Sequence, residues 1–104
     1  MKFREKVYKI VEKIPKGKVM TYKQVAEKLN SKSYRAVGQA LKNNPKPIIT
    51  PCHRVIKSNG EVGGYFGNND INSIKNKAKL LESEDILVKD GKIKNFKDFL
   101  FYID

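Results

Sequence analysis

The chain has 104 residues, 22 of them Lys or Arg and 11 Asp or Glu, for a formal net charge of +11. That length supports one domain with a modest core, and the longest apolar stretch, Phe99-Leu100-Phe101-Tyr102-Ile103, is far too short to span a bilayer. A single Cys and a single His exclude an internal disulfide and a four-ligand zinc site. With Lys or Arg recurring every few residues after Met1, no signal-peptide core is present either, so a cytoplasmic protein without metal or cofactor is expected.

The charge is uneven. Residues 1–50 hold 13 basic and 3 acidic side chains, and residues 51–104 hold 9 and 8. That asymmetry points to a surface facing a polyanion, nucleic acid before membrane, because no stretch is both strongly amphipathic and rich in aromatics. Plain solubility is the competing explanation of the charge. Only Arg4, Arg35 and Arg54 are Arg among the basic residues. Lysine suffices as a point charge against phosphate, so the arginines are the ones to inspect.

In chain order, Phe3, Val7, Ile10, Val11 and Ile14 recur at helical spacing and predict an amphipathic helix over 3–14, stopped by Pro15 and Gly17. Val19-Met20-Thr21 reads as a short extended link whose Thr21 caps a second helix with Val25, Ala26 and Leu29 inward. After the tight connection Asn30-Ser31-Lys32, a third helix runs from Ser33 to about Asn43. Its Tyr34, Val37, Gly38 and Leu41 share the core face, and Arg35, Gln39 and Lys42 share the polar one. Two short helices across a tight turn fit a helix-turn-helix, although any small helical hairpin looks similar.

Pro45, Pro47 and Pro51 then fix the backbone of an irregular segment, and Ile48-Ile49 within it predicts a loop passing through the core. Ser58-Asn59-Gly60-Glu61 predicts a hairpin between Val55-Ile56 and Val62. Gly63-Gly64-Tyr65-Phe66-Gly67 is a glycine-rich loop. A last helix is predicted over 70–82 with Ile74, Ala78 and Leu81 inward, followed by a second hairpin turning at Asp90-Gly91. The expected fold is mainly α with small β-hairpins, a winged helix-turn-helix in a single domain.

The only Cys and the only His are adjacent, in Pro51-Cys52-His53-Arg54-Val55. A lone Cys is often an inert apolar filler. Here a proline-rich loop fixes its backbone, and a neighbouring imidazole offers to take its proton. Free thiol has a pKa near about 8.5, so without help only a few per cent is thiolate at neutral pH. A neutral His needs its other nitrogen held, and Glu82, Glu84 and Asp85 are the candidate acceptors. No second Cys is present to resolve a mixed disulfide, which argues against redox cycling.

Pro51-Cys52-His53-Arg54-Val55 resembles the active-site signature of the O6-alkylguanine-DNA alkyltransferases, also called methylated-DNA–protein-cysteine methyltransferases. Further blocks match in order: Gly17-Lys18-Val19-Met20-Thr21-Tyr22, Arg35-Ala36-Val37-Gly38, Asn43-Asn44-Pro45, Gly60-Glu61-Val62-Gly63-Gly64-Tyr65, and Leu80-Leu81 followed by Glu84. The resemblance runs from the first helix to about Ile93. It implies a monomeric repair protein that acts on double-stranded DNA containing O6-alkylguanine and transfers the alkyl group irreversibly to its own Cys52.

By the same resemblance His53 is the water-mediated base, Glu84 orients it, Asn44 is the hinge asparagine, and Tyr65 stands near O6 to help neutralise the departing guanine. Tyr22 rotates the nucleotide out, and Arg35 is the finger that fills the vacated stack. Tyr22, Arg35, Ala36, Gly38 and Gln39 are implied DNA contacts, and Tyr22, Val55, Gly63, Gly64 and Tyr65 surround the extruded base. Arg54 is assigned to structure rather than chemistry. Family members often carry an additional N-terminal domain, whereas Met1 here opens almost directly on the DNA-binding domain, so residues 1–104 are expected to form that domain alone. Two departures stand out: Ser33-Tyr34 precedes the finger where small residues are usual, and Gln39 replaces a residue that is commonly Gly.

General chemistry agrees with these roles. Guanine O6 lies inside the stack, so in-line attack requires base extrusion, costing a few kcal/mol, and a planar Arg side chain offsets part of that cost. Two other readings compete. Lesion-binding proteins that resemble the alkyltransferases lack the reactive cysteine, usually having Trp there, and this chain has Cys52 and no Trp. A plain winged-helix regulator leaves Pro51-Cys52-His53-Arg54 unexplained.

Overall fold

A computed structural model describes residues 1–103. Helix α1 spans Phe3–Val11 and buries Val7, Ile10 and Val11, the stripe that its spacing dictates. It is shorter than the periodicity predicts; Lys13 and Ile14 continue as a turn, and Ile14 is still buried. Strand β1, Met20–Thr21, leads directly into α2, Tyr22–Lys28. Thr21 and Gln24 form a reciprocal capping box at that junction, fixing where α2 starts and so where Tyr22 stands. Helix α3, Tyr34–Lys42, is capped by the Ser33 side chain, which accepts from the Ala36 amide at 3.0 Å.

The remaining elements are short. A single 3-10 turn covers Cys52–Arg54 and runs into β2, Val55–Ile56. Helix α4, Ile71–Glu82, starts at an Asp70 cap; β3, Val88–Lys89, and β4, Lys92–Ile93, form an antiparallel hairpin; a second 3-10 turn covers Phe96–Phe99. Helices α2 and α3 thus make the helix-turn-helix, with the β3–β4 hairpin behind. No helix among the described residues is long and apolar enough to cross a membrane.

The pairing that organises the molecule is parallel and distant in sequence: Met20 lies opposite Val55, and Thr21 opposite Ile56. This small sheet divides the core by simple alternation. Met20 and Val55 join the cluster with Val7, Val11, Val25, Val37 and Leu41, whereas Val19 and Ile56 join Val62, Leu81, Ile86 and Ile93. The chain's end closes the second cluster, because Val19 donates to the Phe99 carbonyl and accepts from the Phe101 amide.

Three expectations need correction. The turn at Ser58-Asn59-Gly60 forms, with Lys57 donating to Glu61 and Gly60 to Lys57, but it does not pair β2 with Val62. Val62 donates instead to Gly91, and Glu61 bridges Lys92, so this segment extends the second hairpin while β2 pairs with β1. Ile48 and Ile49 do not enter the core; they are 57% and 73% exposed, with the Ile48 backbone at φ 76°. Prolines on both sides leave that tip too short to fold inward. Tyr34 is not on the core face either: it is 49% exposed. As the first residue of α3 it overhangs the end of the helix, where no preceding turn covers it.

Candidate active site

Cys52 is buried at the start of its 3-10 turn, directly after Pro51. The backbone before it is folded by Asn44, whose Nδ2 donates to the Thr50 carbonyl at 2.8 Å while its Oδ1 accepts from the Lys46 amide at 2.9 Å. The loop is further pinned to α1 by the Thr50 hydroxyl, which donates to Glu12. Burial pushes the Cys52 thiol up from its ordinary pKa, and a hydrogen bond from Asn44, the charge of Lys77 and the Tyr65 hydroxyl only partly oppose this. At neutral pH the resting group is therefore the thiol, and attack by sulfur requires a base.

The residue beside Cys52, His53, has surroundings that suit a proton acceptor. It is buried, and its Nε2 lies 2.9 Å from Glu84 Oε2. Glu84 also receives Arg54 Nε at 2.9 Å and Nη2 at 2.7 Å, and Arg54 Nη1 donates to the Ile14 carbonyl at 2.8 Å. Burial alone would raise the Glu84 pKa, but the hydrogen bonds from Arg54 and His53 outweigh it and hold the carboxylate ionised. An ionised acceptor fixes the His53 tautomer with hydrogen on Nε2, leaving Nδ1 as the proton acceptor. Burial keeps the imidazole pKa below its usual value despite Glu84, so the ring is neutral near pH 7. Nδ1 is buried with no partner among the described residues. Of the three candidate acids, Glu84 holds His53, and Glu82 and Asp85 are exposed. Arg54 links Glu84 to the Ile14 carbonyl.

Lys77 is the residue that sequence reasoning missed. It sits on α4, only 1% exposed, and its Nζ donates to the Val55 carbonyl at 2.7 Å and the Gly64 carbonyl at 3.1 Å. The same Nζ lies 5.7 Å from the centre of the Tyr22 ring. Burial lowers its pKa from 10.5 to about 7. The signal was present: Lys77 falls on the stripe of Ile74, Ala78 and Leu81, where a lysine is out of place. It ties the strand after Cys52, the glycine loop and Tyr22 to one buried nitrogen.

Cys52 opens into a cavity of about 280 Å³ bordered by Tyr22, Arg35, Gln39, Gly64 and Tyr65, with Gly38 at its margin. Burial raises the Tyr22 and Tyr65 hydroxyls to about 12, with the nearby Cys52 adding to the rise, so both remain donors at all ordinary pH values. Gly64 is required by space, since a Cβ there would lie 2.4 Å from Asn69 Oδ1 and 2.5 Å from the Asn68 carbonyl. Phe66 and Lys42 also line the cavity and were not anticipated. Phe66 lies against Tyr65 at a ring separation of 4.5 Å.

The other expected residues fall elsewhere. His53, Glu84 and Asn44 lie behind Cys52 rather than along the cavity wall, and half-buried Ala36 does not border it. Val55 is fully buried and contributes its carbonyl to Lys77, so its side chain is core rather than pocket wall. Gly63 borders an adjoining groove instead.

A family profile described as "6-O-methylguanine DNA methyltransferase, DNA binding domain" matches residues 2–86. The chain belongs to this family. A methylated-DNA–protein-cysteine methyltransferase of Saccharolobus solfataricus is 52% identical over 86 residues, covering 83% of this chain and 52% of that protein. The chain thus spans about half the length of the curated relatives it matches. Among solved structures it resembles Mycobacterium tuberculosis OGT in complex with DNA (TM-score 0.73, 38% identity, 82% of this chain and 49% of that one). It also resembles S. pombe Atl1 in complex with damaged DNA containing O6-carboxymethylguanine (TM-score 0.81, 32% identity, 97% and 95% of the two chains). These family members confirm the expected architecture of short helices and strands in one domain.

Proposed function

We propose that this protein repairs DNA by moving the alkyl group of O6-alkylguanine in a duplex onto its own Cys52. The observation that carries the reading is the Cys52 thiol at a cavity bordered by aromatic donors, backed by a neutral His53 that Glu84 orients. His53 Nδ1 accepts the thiol proton through a bridging water. The thiolate then attacks the alkyl carbon in line, the S–C bond forms as the C–O6 bond breaks, and the electron pair leaves on guanine. Tyr22 and Tyr65, held protonated, supply hydrogen bonds to the departing base, and a preorganised donor of this kind is worth about 3 kcal/mol of barrier. The product is a thioether that water does not reverse, so each molecule acts once.

The base reaches the cavity only when extruded. Arg35, exposed near the start of α3 and bordering the cavity, fills the gap in the stack. Gly38 and Gln39 follow it on the DNA-facing side of α3. Half-buried Ala36 beside them lets that helix approach the duplex closely. Asn44 keeps the Cys52 loop closed, and Gly63 and Gly64 let backbone pass near a flat base.

The test is intact-protein mass spectrometry after incubation with duplex containing O6-methylguanine. One methyl group on Cys52, absent from Cys52→Ala, is the expected result. Arg35→Ala should slow transfer from duplex far more than reaction with free O6-benzylguanine; equal losses would remove the finger role. A second reading, lesion binding without transfer, draws on the likeness in fold to the Atl1 chain crystallised on damaged DNA. Lesion binding with no adduct would establish it.

A further inference from the structure

Next to the Cys52 cavity lies a second, open groove of about 400 Å³. Tyr22, Arg35, Gly38 and Gly64 border both, so the two are continuous. The new walls of the second groove are Tyr34 on one side and Lys57 with Ser58 on the other. Neither Tyr34 nor Lys57 is committed elsewhere. Tyr34 presents half its surface to solvent, and its hydroxyl makes no hydrogen bond among the described residues. Lys57 lays its side-chain carbons along Gly63, and its one ion pair, to Glu61 at 3.6 Å, is half-exposed. Exposed pairs of this kind contribute little, so a phosphate displaces Glu61 at small cost.

We propose that this groove holds the lesion-strand nucleotide next to the extruded one, its base stacked on Tyr34 and its phosphate held by Lys57. The proposal rests on the repair reading above and adds a second aromatic contact to the interface. The occupant follows from continuity and charge. A strand whose extruded base fills the Cys52 cavity must run on past its border residues, and the neighbouring groove offers that strand an aromatic face, two cations and a glycine backbone. An aromatic ring accepts any base on its face, so the subsite is tolerant of sequence. The large residue before the finger, which departs from the family pattern, is then an added contact and not an obstruction.

The test uses the full chain and duplexes carrying O6-methylguanine, intact or with an abasic site at the 5′ or the 3′ neighbour. Affinity is read by fluorescence anisotropy, and Cys52 alkylation by free O6-benzylguanine is followed in parallel. Tyr34→Ala should weaken binding to the intact duplex at least about fivefold, with Tyr34→Phe near wild type and the free-base reaction unchanged. Removing one neighbouring base should weaken wild type by a similar factor and leave Tyr34→Ala unaffected. Lys57→Ala should lower the slope of log affinity against log salt by about one.

Wild-type affinity in Tyr34→Ala, or equal effects of the abasic sites on both proteins, would overturn the stacking role. An unchanged salt slope in Lys57→Ala would overturn the phosphate contact, and loss of the free-base reaction in Tyr34→Ala would reassign Tyr34 to pocket structure. If wild type binds lesion duplex but Cys52 stays unmodified by both substrates, the transfer reading fails, while the anisotropy arms still decide the groove.

Discussion

Lys77 makes a prediction about stability that its neighbours do not share. Its pKa is near 10.5 in the unfolded chain and about 7 in the fold, so between these values the unfolded chain keeps a proton that the folded chain has lost. Stability must then rise with pH across that window, and the contribution must be lost as pH falls toward 7, with a limiting slope of about 1.4 kcal/mol per pH unit. Cys52, Tyr22 and Tyr65 have raised pKa values in the fold, so their contributions are lost as pH rises, starting only at the ordinary thiol range for Cys52 and near 10 for the phenols, and Lys77→Met shares them all. His53 titrates below the window. The interval from about pH 7.5 to about 8.5 therefore isolates Lys77 against a background of general charge repulsion, and Lys77→Met measures that background.

Methionine matches the length of lysine, removes the buried charge and leaves the Val55 and Gly64 carbonyls without a donor, at about 1–3 kcal/mol each. That loss offsets much of the gain from removing a buried cation, so the variant should still fold. Urea unfolding at the two pH values should show wild type gaining about 1 kcal/mol relative to Lys77→Met. Equal pH slopes would refute the argument, because they would mean that Lys77 is solvated or paired in a way its surroundings do not provide.

Glu84→Gln keeps the side chain's shape but leaves the largely enclosed Arg54 without a counter-charge, which should cost about 3 kcal/mol and lower the melting temperature by roughly 12 °C or more, measured by calorimetry. The same variant should slow Cys52 alkylation, because His53 loses the acceptor that fixes its tautomer. Wild type should lose the Glu84 contribution as pH falls below about 4.5, since the folded pKa lies beneath the unfolded one; acid unfolding of Glu84→Gln should be correspondingly shallower. Gly64→Ala forces Asn68 and Asn69 away from the new methyl group and should reduce transfer more than tenfold with a melting shift of only a few degrees, checked by mass spectrometry and circular dichroism.

Local features of this fold were legible in the sequence wherever one residue decides them. Thr21 announces a helix start because a cap is a contact within four residues, and Asp90-Gly91 announces its hairpin for the same reason. The site was legible because Cys52 and His53 occur once each and side by side. Choosing Glu84 over Glu82 and Asp85 took the family resemblance, since their spacing alone does not tell which acid turns inward at the end of α4. Lys77 was overlooked because composition offers 19 lysines, and only its place on the apolar stripe of α4 sets it apart. The β1–β2 pairing was invisible because its partners are far apart and each strand is only two residues long. Tyr34 and Ile48 misled for one reason: apolar character predicts burial only where neighbouring elements exist to cover it, and neither a helix's first residue nor a proline-flanked loop tip has them.

That parallel pairing also governs where the chain tolerates change. Tyr22 follows β1 directly, and Cys52 precedes β2 by only three residues, so the register Met20–Val55 acts as a ruler between the two. A residue inserted on either side would exchange the side chains facing the two core clusters and misalign Tyr22 from the sulfur in one step. The Ser58–Gly60 turn and the Asp90–Gly91 turn lie outside the ruler. Lengthening the chain for an affinity handle or a fused reporter therefore belongs at Asp90–Gly91, since Ser58 sits at the mouth of the second groove, and a graft there should leave the distance between the two working residues untouched.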